Sequence, residues 1–438
     1  VLKKRARRPR KPRVYRIPVE SYLVLLAVVF ALSIAVSLLN QPEEVSYKLR
    51  HEFSVRDPAF APSAHALSNP SLLKGNRVDL LENGDRIFPA MLAAIDAAKA
   101  TVNLESYIFW SGTIGDRFRD ALAAAARRGV AVRVLVDGVG SGRKLSDVDV
   151  RAMQQAGCLV EFYHRVRPWM LDTFNNRTHR RLLVVDGRVG FTGGAGIADV
   201  WLGDADSPSH WRETQVRAEG PIVAQLQSAF QETWGEARGE VLVGEPFYPR
   251  LEPAGTVQAQ VLTSSRRAAS SATKLLFAVS IAAANERILI ANSYFVPDRD
   301  AIQLFADAAR RGVDVRILVP GTFNDVPATK AAGKSGFGEL LRAGIRIYEY
   351  RPTMLHTKTM VVDGQFATVG STNFDNRSFR LNEELNLTVY DTDFAQRVEQ
   401  EFWQDLKRSR PYTYEEWAKR PLTQRIFEWA VVPFRSQL

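Results

Sequence analysis

Two long stretches of this chain repeat one another in the same order, and that duplication constrains the fold more than any single motif. Ala124-Ala125-Ala126-Arg127-Arg128-Gly129-Val130 leads into Ala131 to Val136, and Asp307-Ala308-Ala309-Arg310-Arg311-Gly312-Val313 leads into Asp314 to Val319, 183 positions later. Each copy reads as a helix stopped by glycine and followed at once by a buried strand. Upstream, Glu105-Ser106-Tyr107 ends one apolar run as Asn292-Ser293-Tyr294 ends another. Downstream, Arg167-Pro168-Trp169-Met170-Leu171 matches Arg351-Pro352-Thr353-Met354-Leu355. Two copies of this length point to a pair of packed α/β halves, whereas a solenoid stacks many short ones.

The repeat carries a candidate site. In the second copy Met360-Val361-Val362 reads as a buried strand, whose alternation puts His356 and Lys358 on one face. Ser371 and Asn373 add neutral donors, and Glu384 is suited to orient a histidine through its ring N–H. The set suits an oxyanion, most simply a phosphate. After seven extra residues, Asp172 to Thr178, the first copy offers His179, Arg181 and Asp186, with Gly193 and Gly194 where the second copy has Gly370 and Ser371. Glu213 is the counterpart of Glu384. Asp186 and Asp363 each precede a glycine, which fits a strand-ending turn and a bracing role. His51, His65, His164 and His210 do not recur in this setting and read as surface or packing residues. Asp137-Gly138-Val139-Gly140-Ser141-Gly142 has the wrong glycine spacing for a nucleotide loop and reads as a loop after a strand.

Two copies of His-x-Lys/Arg-x4-Asp followed by Gly-Gly or Gly-Ser resemble the phospholipase D superfamily, over roughly Arg77 to Trp403. Within it the chain is most similar to bacterial cardiolipin synthases. That likeness rests on Phe174-Asn175-Asn176-Arg177, on Trp211-Arg212-Glu213-Thr214 and on the run from Arg377 to Leu387. The resemblance implies an α/β sandwich in each half, with the motifs meeting at a pseudo-twofold interface. It also implies a metal-independent, two-step phosphoryl transfer with no cofactor. One histidine forms a phosphohistidine and the other serves as acid and then base; by family tendency His179 attacks and His356 moves the proton. Lys358, Arg181, Ser371 and Asn373 would hold the phosphoryl oxygens. Two positions depart from the pattern. Arg181 stands where the family has lysine, and its planar fork is bulkier. Gly196 stands where the second copy has Asn373, which either weakens the first site or lets backbone approach the phosphate.

Charge and hydropathy direct that chemistry toward lipid. The net charge is +10, but nine cations lie within residues 1–16, so the remaining body is close to neutral and lacks the basic footprint of a nucleic-acid binder. Tyr22 to Leu39 is uncharged and, as a helix, would span about 27 Å. A basic cytoplasmic tail at 1–20 and a transmembrane helix at 21–40 are therefore expected. The positive-inside tendency sends the body across a bacterial inner membrane. A cleaved signal peptide and a buried helix are the rival readings. Residues 41–75 read as a linker, 76–250 as the first half, 251–405 as the second, and 406–438 as an amphipathic tail mixing Trp417, Ile426, Phe427 and Trp429 with basic residues. Trp169, Met170, Leu171 and Phe174 lie where acyl chains would enter. The single cysteine, Cys158, excludes an internal disulfide and a cysteine-based zinc site. The expected partners are the bilayer and its phospholipids, phosphatidylglycerol first. A phospholipase D hydrolase, an anchored nuclease and a non-catalytic scaffold are the alternatives.

Overall fold

The computed structural model describes residues 54–57, 60–61, 71–165, 175–265 and 272–437. The predicted basic tail and transmembrane helix, and Trp169, Met170, Leu171 and Phe174, lie outside the described residues. Among the described residues no helix is long and apolar enough to cross a membrane.

The first half runs β1 (Leu73–Glu82), α1 (Asn83–Ala97), β2 (Thr101–Ser106), α2 (Thr113–Arg127), β3 (Ala131–Asp137), α3 (Asp147–Gln155), β4 (Leu159–Tyr163), β5 (Arg181–Val185), β6 (Val189–Gly193), β7 (Thr214–Glu219) and α4 (Ile222–Arg238). The second repeats the series as β8 (Val257–Ser264), α5 (Ala272–Ala282), β9 (Arg287–Asn292), α6 (Arg299–Arg310), β10 (Asp314–Pro320), α7 (Pro327–Arg342), β11 (Arg346–Tyr350), β12 (Lys358–Val362) and β13 (Phe366–Gly370). A short helix, α8 (Asn376–Arg380), precedes β14 (Glu384–Val389) and α9 (Thr392–Lys407). The glycine stops fall where the repeat places them. Gly129 and Gly312 take φ of +91° and +94°, and the following valines, Val130 and Val313, donate back to Ala125 and Ala308 at 3.2 and 3.1 Å. Both helices thus end in one Schellman cap, and each cap turns the chain straight into a buried parallel strand.

Each half orders its strands alike: β1-β7-β6-β5-β2-β3-β4 and β8-β14-β13-β12-β9-β10-β11. The pairs β2–β3, β3–β4, β9–β10 and β10–β11 are parallel and the others antiparallel. Strands β1 and β8 pair with each other, so the two sheets join edge to edge. Helices α1 to α3 cover the outer face of the first sheet, and α5 to α7 that of the second. Helices α4 and α9 share one apolar core with strands from both halves, including Phe230, Trp234, Phe394 and Phe402. The α/β sandwiches therefore share a middle helical layer.

Two boundaries differ from the compositional reading. Within the stretch expected to be a linker, Val55 and Phe60 are buried in the core of the second half, with Phe60 edge-on to Phe366 at 5.7 Å, and β1 already starts at Leu73. Composition misses them because two apolar anchors in a polar stretch leave no period. The expected tail from 406 opens instead with β15 (Ser409–Tyr412), which pairs with β11, before α10 (Tyr414–Ala418) and α11 (Leu422–Val431).

Asp186 and Asp363 sit at the tips of the β5–β6 and β12–β13 hairpins with φ of 52° and 51°, each followed by a glycine that is also at positive φ. Their carboxylates accept backbone N–H groups at the start of the neighbouring strand: Lys99, Ala100 and Thr101 for Asp186, and Asn285, Glu286 and Arg287 for Asp363, all at 2.7–2.9 Å. Asp363→Ala leaves three donors unpaired and is expected to cost about 2–4 kcal/mol in denaturant unfolding. Asp363→Asn keeps one acceptor oxygen and loses less.

Candidate active site

The chain enters β5 and β12 through short parallel bridges that cross between the halves. The His179 N–H donates to the Glu383 carbonyl and the His356 N–H to the Arg212 carbonyl, both at 2.8 Å. Each bridge lines a histidine up with the glutamate that opens a strand of the opposite half, or stands just before it, and the side chains follow. His179 Nδ1 lies 2.9 and 3.0 Å from the two oxygens of Glu384, and His356 Nδ1 lies 2.5 Å from Glu213 Oε2. Sequence reasoning paired the glutamates with the histidines; the structure makes that pairing crosswise. All four groups are buried.

The two carboxylates are held differently. Glu384 takes hydrogen bonds from Ser371 Oγ at 2.5 Å, Ser378 Oγ at 2.8 Å and Asn382 Nδ2 at 3.3 Å. Burial works against its ionisation, but the His179 ring and the Ser371 hydroxyl outweigh it and hold its carboxyl below the usual range. The His179 Nδ1 proton then points at a carboxylate, which leaves Nε2 as the free base. Glu213 receives the Thr214 N–H at 2.9 Å, and burial pushes it up to about 7 against Lys358 and that N–H. At Gly194, the counterpart of Ser371, an added Cβ would stand 2.4 Å from Glu213 Oε1, so the carboxylate fills the place of a donor side chain.

Lys358 Nζ lies 3.1 and 3.3 Å from the two ring nitrogens of His356 and also donates to the His356 carbonyl oxygen. In the first copy Arg181 reproduces that contact, with Nη1 2.5 Å from the His179 carbonyl, while its Nε is buried without a partner. Burial pushes Lys358 down to about 7 against the pull of Glu213, with Arg181 adding to the shift. Burial, with Arg181, pushes His179 down to about 4 against Glu384. His356 falls well below its ordinary value through burial, then through Lys358, Arg181 and His179. A buried guanidinium, a buried amine titrating near 7 and two neutral imidazoles thus face one another with an unsatisfied donor among them. An anion bound there would relieve the repulsion.

Ser371, expected as a phosphate donor, here gives its proton to Glu384 and accepts the Leu385 N–H at 3.0 Å. Asn373 Oδ1 accepts from Ser293 Oγ at 2.8 Å, so its amide hydrogens remain to offer an anion. At Gly196 the structure shows an aromatic neighbour that the sequence did not suggest. An added Cβ there would meet the Trp201 ring at 2.9 Å, and Trp201 lies edge-on to His356 at 5.3 Å with Trp211 tilted at 5.3 Å on the same ring. The missing side chain makes room for an aromatic wall around one histidine. Tyr107 stands edge-on to His179 at 5.0 Å and Tyr294 to His356 at 6.4 Å. Sequence reasoning used these tyrosines only to align the copies; their equivalent places after Ser106 and Ser293 were the signal. Trp211, Ser378 and Asn382 lay within the stretches that carry the family likeness, whereas Trp201 had no signal. Among the described residues no three His, Cys, Asp or Glu side chains are grouped to hold a metal ion.

The family described as "Cardiolipin synthase, PLD-like domain" matches residues 91–234 and 278–406. The major cardiolipin synthase of Bacillus subtilis (strain 168) is 37% identical over 357 residues, covering 81% of this chain and 73% of that protein. The cardiolipin synthase of Geobacillus sp. (strain WCH70) is 35% identical over 368 residues, covering 83% and 73%. In fold, the chain is similar to the phosphatidylserine synthase of Haemophilus influenzae Rd KW20, with a TM-score of 0.65 at 15% identity over 86% of this chain and all of that one. The two matched segments fall one in each half, each holding one of the crossed histidines, and the chain belongs to the cardiolipin synthase family of phospholipase D-like proteins.

Proposed function

We infer that this enzyme is a cardiolipin synthase that moves a phosphatidyl group from phosphatidylglycerol to the headgroup hydroxyl of a second phospholipid. The observation that carries the mechanism is the crossed His–Glu pair set around two buried cations. His179 Nε2 attacks phosphorus, the bond to the glycerol oxygen breaks, and the leaving oxygen takes a proton from His356. Glycerol departs and a phosphohistidine remains. The acceptor hydroxyl then attacks, its proton passes to His356, the P–N bond breaks, and cardiolipin is released.

The unequal carboxylates support this order. Ionised Glu384 suits the histidine that becomes a cationic phosphoimidazole, because the negative charge stays beside the positive one. Glu213, poised near 7, suits the histidine that gives and regains a proton in each cycle. Lys358, Arg181 and the Asn373 amide balance charge on the phosphoryl oxygens. The phosphodiester itself raises the proton affinity of His356 and Lys358 on binding, which charges the acid when it is needed. The lipid substrates and the apolar stretch from Tyr22 to Leu39 support a site in the inner membrane, with the body on the face opposite the basic tail.

Purified full-length protein given phosphatidylglycerol alone is expected to yield cardiolipin and glycerol; phosphatidic acid as the sole lipid product would make it a hydrolase. Phosphorus label trapped by acid-free quenching is expected on His179, and label on His356 would reverse the roles. Either His→Ala change is expected to lower turnover by at least about a thousandfold.

The same site predicts a pH dependence. An anion binds best when Lys358 is charged and Glu213 is neutral, and both groups lie near 7 in the empty site. Affinity for dimethyl phosphate, which keeps one charge throughout, is therefore expected to be highest in acid, where His356 also takes up a proton on binding. It should fall as pH rises through 7, by up to about tenfold per unit for each proton taken up. Titration by calorimetry checks this: Lys358→Met should bind weakly with a shallower slope, and affinity that rises with pH would overturn the assignment.

A further inference from the structure

Helix α11 is inside out. Its one acid, Glu428, is the buried residue, 2% exposed and held by Arg420 Nε and Gln424 Nε2, each at 2.8 Å. Its apolar residues face outward instead: Leu422 is 68% exposed, Ile426 57%, Phe427 46% and Trp429 79%. Val432 and Phe434 continue the patch at 38% and 41%. A helix docked on its own domain shows the opposite arrangement, apolar stripe inward and charge outward. Exposed groups of this size and continuity mark an interaction surface.

The chemistry of the patch selects its partner. From Trp417 to Arg435 the chain carries four cations, Lys419, Arg420, Arg425 and Arg435, against Glu428 alone, and Arg420 neutralises that acid. Aromatic and aliphatic groups set among cations match the layered polarity of an anionic bilayer, where rings sit at headgroup level and cations meet phosphates. A second copy of the chain would bring two basic patches together.

The side of this element away from the patch is fixed to the catalytic body. Trp417 Nε1 donates to the Lys334 carbonyl at 2.8 Å, and its ring lies over Gly338. Arg435 Nη2 donates to the Ala332 carbonyl at 2.9 Å and to Ser335 Oγ at 2.6 Å. These four partners lie on α7, whose Thr329, Lys330 and Gly333 line a small cleft together with Tyr294, the ring that faces His356. Past the helix, Gln437 receives Asn175 Nδ2 at 2.6 Å and Arg377 Nη1 at 3.1 Å, both close in sequence to the groups that carry the site, His179 and Ser378.

We propose that α11 and the turn after it form a membrane-docking surface that seats the catalytic body on an anionic leaflet. This contact does not depend on which histidine carries the phosphatidyl group, nor on transfer prevailing over hydrolysis. The native cysteine, Cys158, is buried, so Ile426→Cys can be labelled selectively in the full chain with an environment-sensitive fluorophore. Val148→Cys, on α3 in the opposite outer layer and 66% exposed, serves as the reference. In vesicles of phosphatidylglycerol and phosphatidylcholine, the label at 426 is expected to shift to the blue and to be quenched by brominated lipid, whereas that at 148 stays open to aqueous iodide. Equal iodide quenching at both sites, with none by brominated lipid, overturns the proposal. So does protection that grows with protein concentration in the absence of lipid, which assigns the patch to a second copy. The combined variant Leu422→Ser, Ile426→Ser, Phe427→Ser and Trp429→Ser alters only exposed groups. It is expected to lower turnover of vesicle substrate at least about tenfold while leaving a soluble short-chain phosphatidylglycerol unaffected. Equal turnover of both substrates counts against docking, and the fluorescence arms decide even if neither lipid is a substrate.

Discussion

Everything in this protein depends on two imidazole–carboxylate pairs that cross the interface between its halves. A carboxylate buried to the extent of Glu213 or Glu384 is costly unless partnered, and the histidine that partners each one belongs to the other half. Each glutamate has donors in its own half but finds its histidine only in the other, so neither half completes a site alone. The surrounding polar contacts follow the same logic. Fully buried Arg180 joins Glu232 of its own half to Glu383 of the other, and Arg212 reaches across to Glu401 and Asp405 on α9. The shared apolar layer of α4 and α9 and the β1–β8 pairing hold those groups in register. Removing one partner from such a network strands the others without water to replace it.

The duplication supplies two similar half-sites, and their small differences divide the labour. The His179 ring and the Ser371 hydroxyl keep Glu384 ionised, whereas burial holds Glu213 near 7, with Gly194 where an equivalent donor would stand. Gly196 gives its space to Trp201, so His356 has an aromatic wall where the second copy carries Asn373. Arg181 and Lys358 share the contact to the preceding histidine carbonyl but differ beyond it: Arg181 keeps a buried, unpartnered Nε–H, and the Lys358 ammonium sits against the His356 ring. A reaction whose two histidines must do different things is well served by this asymmetry.

The site also has a fixed relation to the exterior. Helix α7 lies between the cleft beside Tyr294 and the outward-facing apolar residues of α11. A surface that meets a leaflet through α11 would set the position of the cleft relative to the lipid headgroups, through contacts to backbone carbonyls, a glycine and the Ser335 hydroxyl of α7. Such a contact relies on shape and not on a long flexible linker.

Much of this was legible along the chain. The helix–glycine–strand units, the buried character of β3 and β10, and the bracing by Asp186 and Asp363 all follow from rules that act within a few residues: a cap, an alternation, a turn. The repeat identified both histidines, both cations and both glutamates, because a duplicated pattern is read by position and needs no contact. What only the tertiary structure decided concerns who meets whom. The crossed pairing, the commitment of Ser371 to Glu384, the Trp201 ring beside Gly196 and the burial of Phe60 in a polar stretch all depend on neighbours far away in sequence. The same holds for α11, whose composition marked it as amphipathic but left open whether its apolar groups turn in or out. Local rules shape each element, whereas desolvation and partner choice are settled in three dimensions, and there the outward face of α11 and the inward charge of Glu428 were decided together.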